Sequence, residues 1–373
     1  MELNLLASFS EVMGYIGYVL LAVLVLLIMI TVHEFGHYSS GKLLGFSIEE
    51  FSIGFGPKLY QKKKKDGELF SVRLLPLGGY CAFLGEDKDL QNPKAFNNKN
   101  PFKRIIVLFS GAFMNYLFAV IIIAVMFGAY GQTALVGVDM VDSNVYLKEY
   151  SLQSKDIILS VEGKSVYLIS DLMDGIENRK KGDKVEFTVR RGGKDTEVLV
   201  MLRADTDFSN LEDVSKLYNA LGISYQLNDK GEVVSSGLYS TTVRFGFFKT
   251  IANSFDYSIK LAGTIFSVLG QLLTGRLSIS SVGGTVTTIA VTADAIKVGG
   301  LRYLLNITSF IGVNLAVFNL LPFPALDGSR IVFCLIEGIF KKPVNRKVEG
   351  VIHTIGLVFI LLFAVIFDLQ RCF

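Results

Sequence analysis

The chain has 373 residues, 51% of them hydrophobic and only 19% charged, and its mean hydropathy is +0.46. That balance excludes an ordinary soluble protein and points to membrane spans joined to a soluble part. A net charge of +3 is too small to support nucleic-acid binding, and three distant cysteines (Cys81, Cys334, Cys372) without a CxxC exclude a disulfide framework or a cysteine zinc site.

The first element is "MGYIGYVLLAVLVLLIMITV", Met13–Val32, with no charge in it. Its length fits the ~20 residues that a helix needs to cross a bilayer. It lacks a basic leader region, and HEFGH follows where a cleavage site would stand, so it reads as a retained span rather than a signal peptide. Next come Phe51–Tyr60, a Lys-Lys-Asp-Gly-Glu turn and Leu69–Tyr80, which together read as a β-hairpin. Ile105–Phe127 is the second span; it is uncharged but holds Asn115.

"ALVGVDMVDS", "DIILSVEGKSV", "KVEFTVRR" and "DTEVLVML" alternate in the manner of strands, and "SDLMDGIENRK" reads as a short amphipathic helix. This places a water-exposed module at about 134–203. "LEDVSKLYNALGI" and residues 245–273 follow. The latter stretch is apolar but interrupted by Lys249, Asp256 and Lys260, and is expected to lie as an amphipathic helix at the membrane face, with a fifth span as the alternative. Leu304–Leu321 and Val351–Phe367 are the third and fourth spans. The expected domains are 1–133, 134–203, a linker over 204–300, and 301–373.

Orientation follows from the positive-inside rule. Lys62–Lys65, Arg73, Lys103 and Arg104 lie between spans one and two, and Arg330, Lys341, Lys342, Arg346 and Lys347 between spans three and four. Both loops are therefore expected in the cytoplasm, with the termini and the 134–203 module outside.

His33 and His37 are four residues apart, so a helix presents both imidazoles on one face, in reach of one metal ion. A zinc ion held there activates water, for which the adjacent Glu34 can act as general base. The competing reading is a pair of interfacial histidines with a snorkelling glutamate, but an intramembrane ionisable cluster is costly without a use. A third ligand is needed. His353, in an apolar span, reads as structural. Asp327 is the better candidate: it follows Pro322 and Pro324 at the end of span three, and the charge-derived topology brings it to the same membrane depth as His37. Its alternative is a plain Asp-Gly helix stop.

Together "HEFGH", "NLLPFPALDG", "FSIGFGPKLY", "RLLPLGGYCAFLGE" and "AFNNKNPFKRIIVLFSGAFMN" resemble, in order and spacing, the site-2 protease family of intramembrane zinc metallopeptidases. "SLQSKDIILSVEGKSV" looks like a PDZ core, as in the bacterial regulator-of-sigma-E protease branch. The resemblance implies one zinc held by His33, His37 and Asp327, with Glu34 as catalytic base. It also implies that Asn319, together with Gly54, Phe55 and Gly56 on a hairpin dipping into the membrane, contacts substrate. The fold it implies is a polytopic α-helical membrane protein of four transmembrane helices, with a membrane-associated β-hairpin and an inserted extracytoplasmic α+β PDZ-like domain. Implied partners are the lipid bilayer, transmembrane substrates such as anti-sigma factors or remnant signal peptides, and a preceding site-1-type protease. The implied location is the bacterial inner membrane, with the active site near the cytoplasmic side. Ser329 stands where many relatives have a second glycine, and "SGAFMN" and "SSVGGTV" lack a usual proline. Rival readings are a non-catalytic PDZ adaptor, a membrane-anchored protease acting on soluble proteins, and, with no inverted repeat to support it, a transporter.

Overall fold

The structure, a computed structural model, describes residues 2–86, 90–137, 151–208, 214–228, 233–275 and 284–370. In chain order the first part holds α1 (Glu2–Leu43), β1 (Ile48–Lys63), β2 (Leu69–Phe83) and α2 (Pro101–Tyr130). Then come β3 (Gln132–Gly137), β4 (Asp156–Val161), β5 (Lys164–Ser165), α3 (Ile169–Ile176), β6 (Lys184–Arg191) and β7 (Lys194–Met201). They are followed by α4 (Val214–Leu221), β8 (Tyr225–Leu227), β9 (Val233–Ser236) and β10 (Leu238–Val243). The last helices are α5 (Phe247–Leu273), α6 (Thr285–Leu320), α7 (Asp327–Phe340) and α8 (Arg346–Gln370).

Four helices among the described residues are long and apolar enough to cross a membrane, through Val12–Leu43, Pro101–Tyr130, Val286–Leu320 and Lys347–Ile366. The four expected spans lie inside them, save for a residue at one or two ends. This is a multi-pass membrane protein with β insertions. The contacts divide the chain into one unit of Met1–Val125 with Ser258–Phe373, and a second of Met126–Tyr257.

In the first unit α1 and α2 approach closely because each offers a glycine at the crossing. A Cβ on Gly36 would stand 2.3 Å from the Ser110 carbonyl oxygen. Small residues at such crossings let backbones pack without a gap, which is how helices associate where lipid removes the hydrophobic drive. The second half of α5 packs Leu261, Ile265 and Leu269 against Ala119 of α2 and Val313 and Val317 of α6. Gly300, at φ 57° and ψ −143°, breaks α6 into two arms. α8 is largely exposed, and polar and aromatic contacts tie it to the rest of its unit. Phe359 meets Phe323 at 5.8 Å between ring centres, and Asp368 accepts the Val286 and Thr287 backbone N–H groups, each at 3.0 Å.

The expected hairpin is present, and it folds over on itself. Ser52 of β1 is flanked by Tyr80 on one side and Ser71 on the other, while the far end of β1 returns to pair Lys63 with Leu69. Two long bent strands thus make a sheet of four short segments. Its inner rim, Gly79–Phe83, pairs with Ile48–Ile53.

The second unit is built on a six-stranded antiparallel sheet in the order β10-β3-β4-β6-β7, with β5 beside β4. Leu172 and Ile176 of α3 and Leu217 and Leu221 of α4 share one core with Phe187 and Val189 of β6. Alternation along β6 puts Val185, Phe187 and Val189 on the same face, all buried. β10 comes from the stretch read as linker, 204–300, which also holds α4, α5 and the first arm of α6. Part of "ALVGVDMVDS" and of "SSVGGTV" lies outside the described residues.

Candidate metal centre

His33 and His37 occupy adjacent turns of α1 and are both 7% exposed. The Nδ1–H of His37 donates to the Val107 carbonyl of α2 at 2.8 Å, which leaves Nε2 free to act as a ligand. The two Nε2 atoms stand 3.1 Å apart. Gly111 of α2 faces them, and a Cβ there would lie 2.5 Å from His37 Cε1 and 2.8 Å from His33 Cε1.

Asp327 arrives from the other end of the chain. Ala325 takes a left-handed φ of 78°, and α7 starts two residues later. Gly328 is required at this start, because a Cβ would meet the Leu321 carbonyl oxygen at 2.2 Å. The Oδ2 of Asp327 then lies 3.0 Å from His33 Nε2 and 3.3 Å from His37 Nε2.

The three ligand atoms form a triangle with edges of 3.0, 3.1 and 3.3 Å. Zinc bound at ~2.0–2.1 Å in tetrahedral geometry sets its ligands roughly 3.3 Å apart. Two nitrogens and a carboxylate oxygen at this spacing are a zinc donor set with one position left open, and among the described residues it is the one such group of three.

Glu34 projects from α1 beside this triangle and lines the same cavity, as do Tyr80 and Cys81 of β2. Gly79 is needed on the same strand, since a Cβ there would lie 2.8 Å from the Ser52 carbonyl oxygen. The inner rim of the hairpin therefore passes along the proposed base. A cavity of about 560 Å³ opens over the triangle, walled by Ile30, Tyr80, Leu315, Asn319, Arg330 and His353 among others. Arg330, one turn past Asp327, pairs with Glu86.

The structure thus brings His33, Glu34, His37, Asp327 and Asn319 to one cavity. Gly54, Phe55 and Gly56 are not among its lining residues. They stand behind the rim: Phe55 stacks on Tyr80 with ring centres 6.1 Å apart. Arg73 joins the Gly56 carbonyl (2.9 Å) to the Tyr80 hydroxyl (2.7 Å). His353 differs from the sequence expectation of an imidazole without polar company. Its Nδ1 accepts the Ala325 backbone N–H at 3.1 Å, so it tethers the loop that carries Asp327. Sequence reading passed over that tether, because it acts through a backbone N–H group that no side-chain pattern encodes.

The profile of Peptidase family M50 matches residues 21–363. The chain belongs to peptidase family M50. It is 33% identical over 347 residues to a candidate zinc metalloprotease of Clostridium perfringens, covering 92% of this chain and 95% of that protein. A candidate zinc metalloprotease of Fusobacterium nucleatum is 32% identical over 352 residues, covering 92% and 95%. One of Clostridium acetobutylicum is 29% identical over 352 residues, covering 94% and 96%. This M50 protein is a zinc metalloprotease, with His33, His37 and Asp327 as its candidate metal site.

Proposed function

We propose that this M50 protein is an intramembrane endopeptidase that cuts membrane proteins within or near their transmembrane segments. The observation that carries the reading is the convergence of His33, His37, Asp327 and Glu34 on one cavity formed by apolar helices. Zinc, when bound, would supply Lewis-acid activation of water and of the scissile carbonyl. Glu34 takes the proton from the attacking water and delivers it to the leaving amine. Asn319, half-buried on the wall, holds the substrate backbone.

A transmembrane substrate hides its carbonyls in helical hydrogen bonds and must be unwound before attack. The rim Gly79–Phe83 offers a strand edge beside Glu34, and an extended substrate can add to it through backbone hydrogen bonds, which is tolerant of sequence. Gly54, Phe55 and Gly56 serve this edge by supporting Tyr80. Cys81→Pro, which removes one N–H from the rim, is expected to lower cleavage while zinc stays bound, whereas Cys81→Ala keeps the N–H and the activity. Equal activity in both variants would argue against strand addition.

The second unit serves as a PDZ-like extracytoplasmic module. The charge distribution supports both termini outside and the site near the cytoplasmic side of a bacterial inner membrane. Mass-spectrometric mapping of fragments from a membrane reporter, with wild type and Glu34→Gln, tests the reading as a whole. Cuts inside an apolar span that vanish in the variant are expected. Cuts confined to soluble segments would favour a membrane-anchored protease of ordinary substrates.

A further inference from the structure

We propose that Asn115 is the residue that holds His33 in its metal-binding tautomer, and that Asn319 is not needed for this. The inference rests on the zinc reading above. His33 offers Nε2 to the centre, so its single remaining proton belongs on Nδ1. An Nδ1–H is a donor, and in a buried site a donor needs an acceptor. His37 has one, the Val107 carbonyl. His33 has two amides within 3.5 Å of Nδ1, those of Asn115 and Asn319.

Burial decides between them. Asn115 is fully buried, at 0% exposure, and its Oδ1 is a buried oxygen with no hydrogen-bond partner when its Nδ2 faces His33. A donor facing a donor on one end and a stranded acceptor on the other is the mark of an amide turned the wrong way. The two ends of an asparagine are told apart only by their partners. Turned by 180°, Asn115 gives its Oδ1 to the Nδ1–H of His33, which removes the donor-to-donor contact. Asn319 is half-buried on the cavity wall, so neither end of its amide is stranded in the same way.

The placement on α2 gives the same answer independently. Val107, Gly111 and Asn115 are spaced at i, i+4 and i+8 and so form one stripe along the helix. The first supplies the acceptor for His37 and the second the gap into which both imidazoles fit. The third reaches His33. α2 contributes no metal ligand, yet this stripe orients both histidines. Asn115 is a positioning residue and touches no reacting atom.

The test is zinc affinity, measured by competition with a chromophoric chelator on the purified full-length protein in detergent micelles, for wild type, Asn115→Leu, Asn115→Asp and Asn319→Leu. Loss of an outer hydrogen-bond partner typically weakens a metal site by about 10–100-fold. Asn115→Leu is expected to fall by that factor. Asn115→Asp, which keeps an acceptor oxygen, is expected to stay within roughly threefold of wild type, as is Asn319→Leu. Cobalt substitution adds a second readout: the visible spectrum of Asn115→Asp should keep the wild-type band positions and that of Asn115→Leu should shift. Wild-type affinity in Asn115→Leu would overturn the assignment. So would an equal loss in Asn115→Leu and Asn115→Asp, or a loss in Asn319→Leu that matches the one in Asn115→Leu. A wild-type protein that takes up no zinc at all would instead sink the metal reading, and this proposal with it.

Discussion

The carboxylate of Asp327 lies 3.0 Å from the imidazole of His33, across 294 positions of sequence. That contact closes the candidate centre, and Glu34, one residue on from His33, points into the same cavity. Replacing Glu34 by Gln removes the base while keeping the shape and the ligands. Turnover should fall by at least about 10²–10⁴-fold, the usual contribution of a positioned base, with zinc content unchanged. Zinc analysis beside a cleavage assay reads both; a fully active Glu34→Gln would end the protease reading.

Gly111 has no room for a side chain, because a Cβ would lie within 2.8 Å of both imidazoles. Gly111→Ala should push the histidines off their triangle and cost the protein its zinc. Gly128 stands on the same helix, and a Cβ there would meet nothing within 4 Å, so Gly128→Ala should bind zinc as wild type does. Loss in the first and not in the second separates crowding at the site from a general effect on the helix.

Arg73 ties the hairpin together through Glu50 Oε1 (2.8 Å), Ser52 Oγ (3.0 Å), the Gly56 carbonyl and the Tyr80 hydroxyl. Burial alone would raise the Glu50 carboxyl, but hydrogen bonds from Ser71, Arg73 and Tyr80 hold it below its ordinary 4.5. Because the folded value is depressed, ionised Glu50 stabilises the hairpin above the unfolded value, and this is lost as pH falls through the folded one. Glu50→Gln should therefore loosen the hairpin at pH 7, and the gap to wild type should narrow in acid, as pH falls well below 4.5. Amide hydrogen exchange over the hairpin at the two pH values measures it; a gap that widens in acid would contradict the assignment.

The second unit shares one sheet from β3 to β10, so a clean excision must remove Gln132–Val243. If the module filters substrates by the bulk of their outer domains, the excised protein should cut an untrimmed reporter that the intact protein leaves alone. An untrimmed reporter that survives would count against a filter.

The parts of this molecule governed by short-range periodicity were readable in its residues. Uncharged runs marked the four spans, and the four-residue spacing of His33 and His37 marked the metal face. The turn Asp66–Gly67 marked the hairpin, and the place of Asp327 just after Pro322 and Pro324 at the end of span three marked it as a candidate ligand. What escaped depends on pairing at a distance. Alternation does not state a register, so nothing in Ser52 foretold neighbours on both sides. β10 joins β3 across the intervening strands of its own sheet. Asn115 was visible as a lone amide in an apolar span, but its partner is 82 positions away. The bend at Gly300 is a backbone choice that glycine permits and does not announce.

A centre whose ligands are 294 residues apart also has a history in time. The ribosome delivers the two histidines first, and at roughly 5–20 residues per second the aspartate follows about 15 to 60 s later. Throughout that interval the nascent chain carries the proposed base but only two of the three candidate zinc ligands. On the proposed reading, a chain that stalls before α7 is left unarmed, and so cannot nick neighbouring proteins in the membrane that is still receiving it.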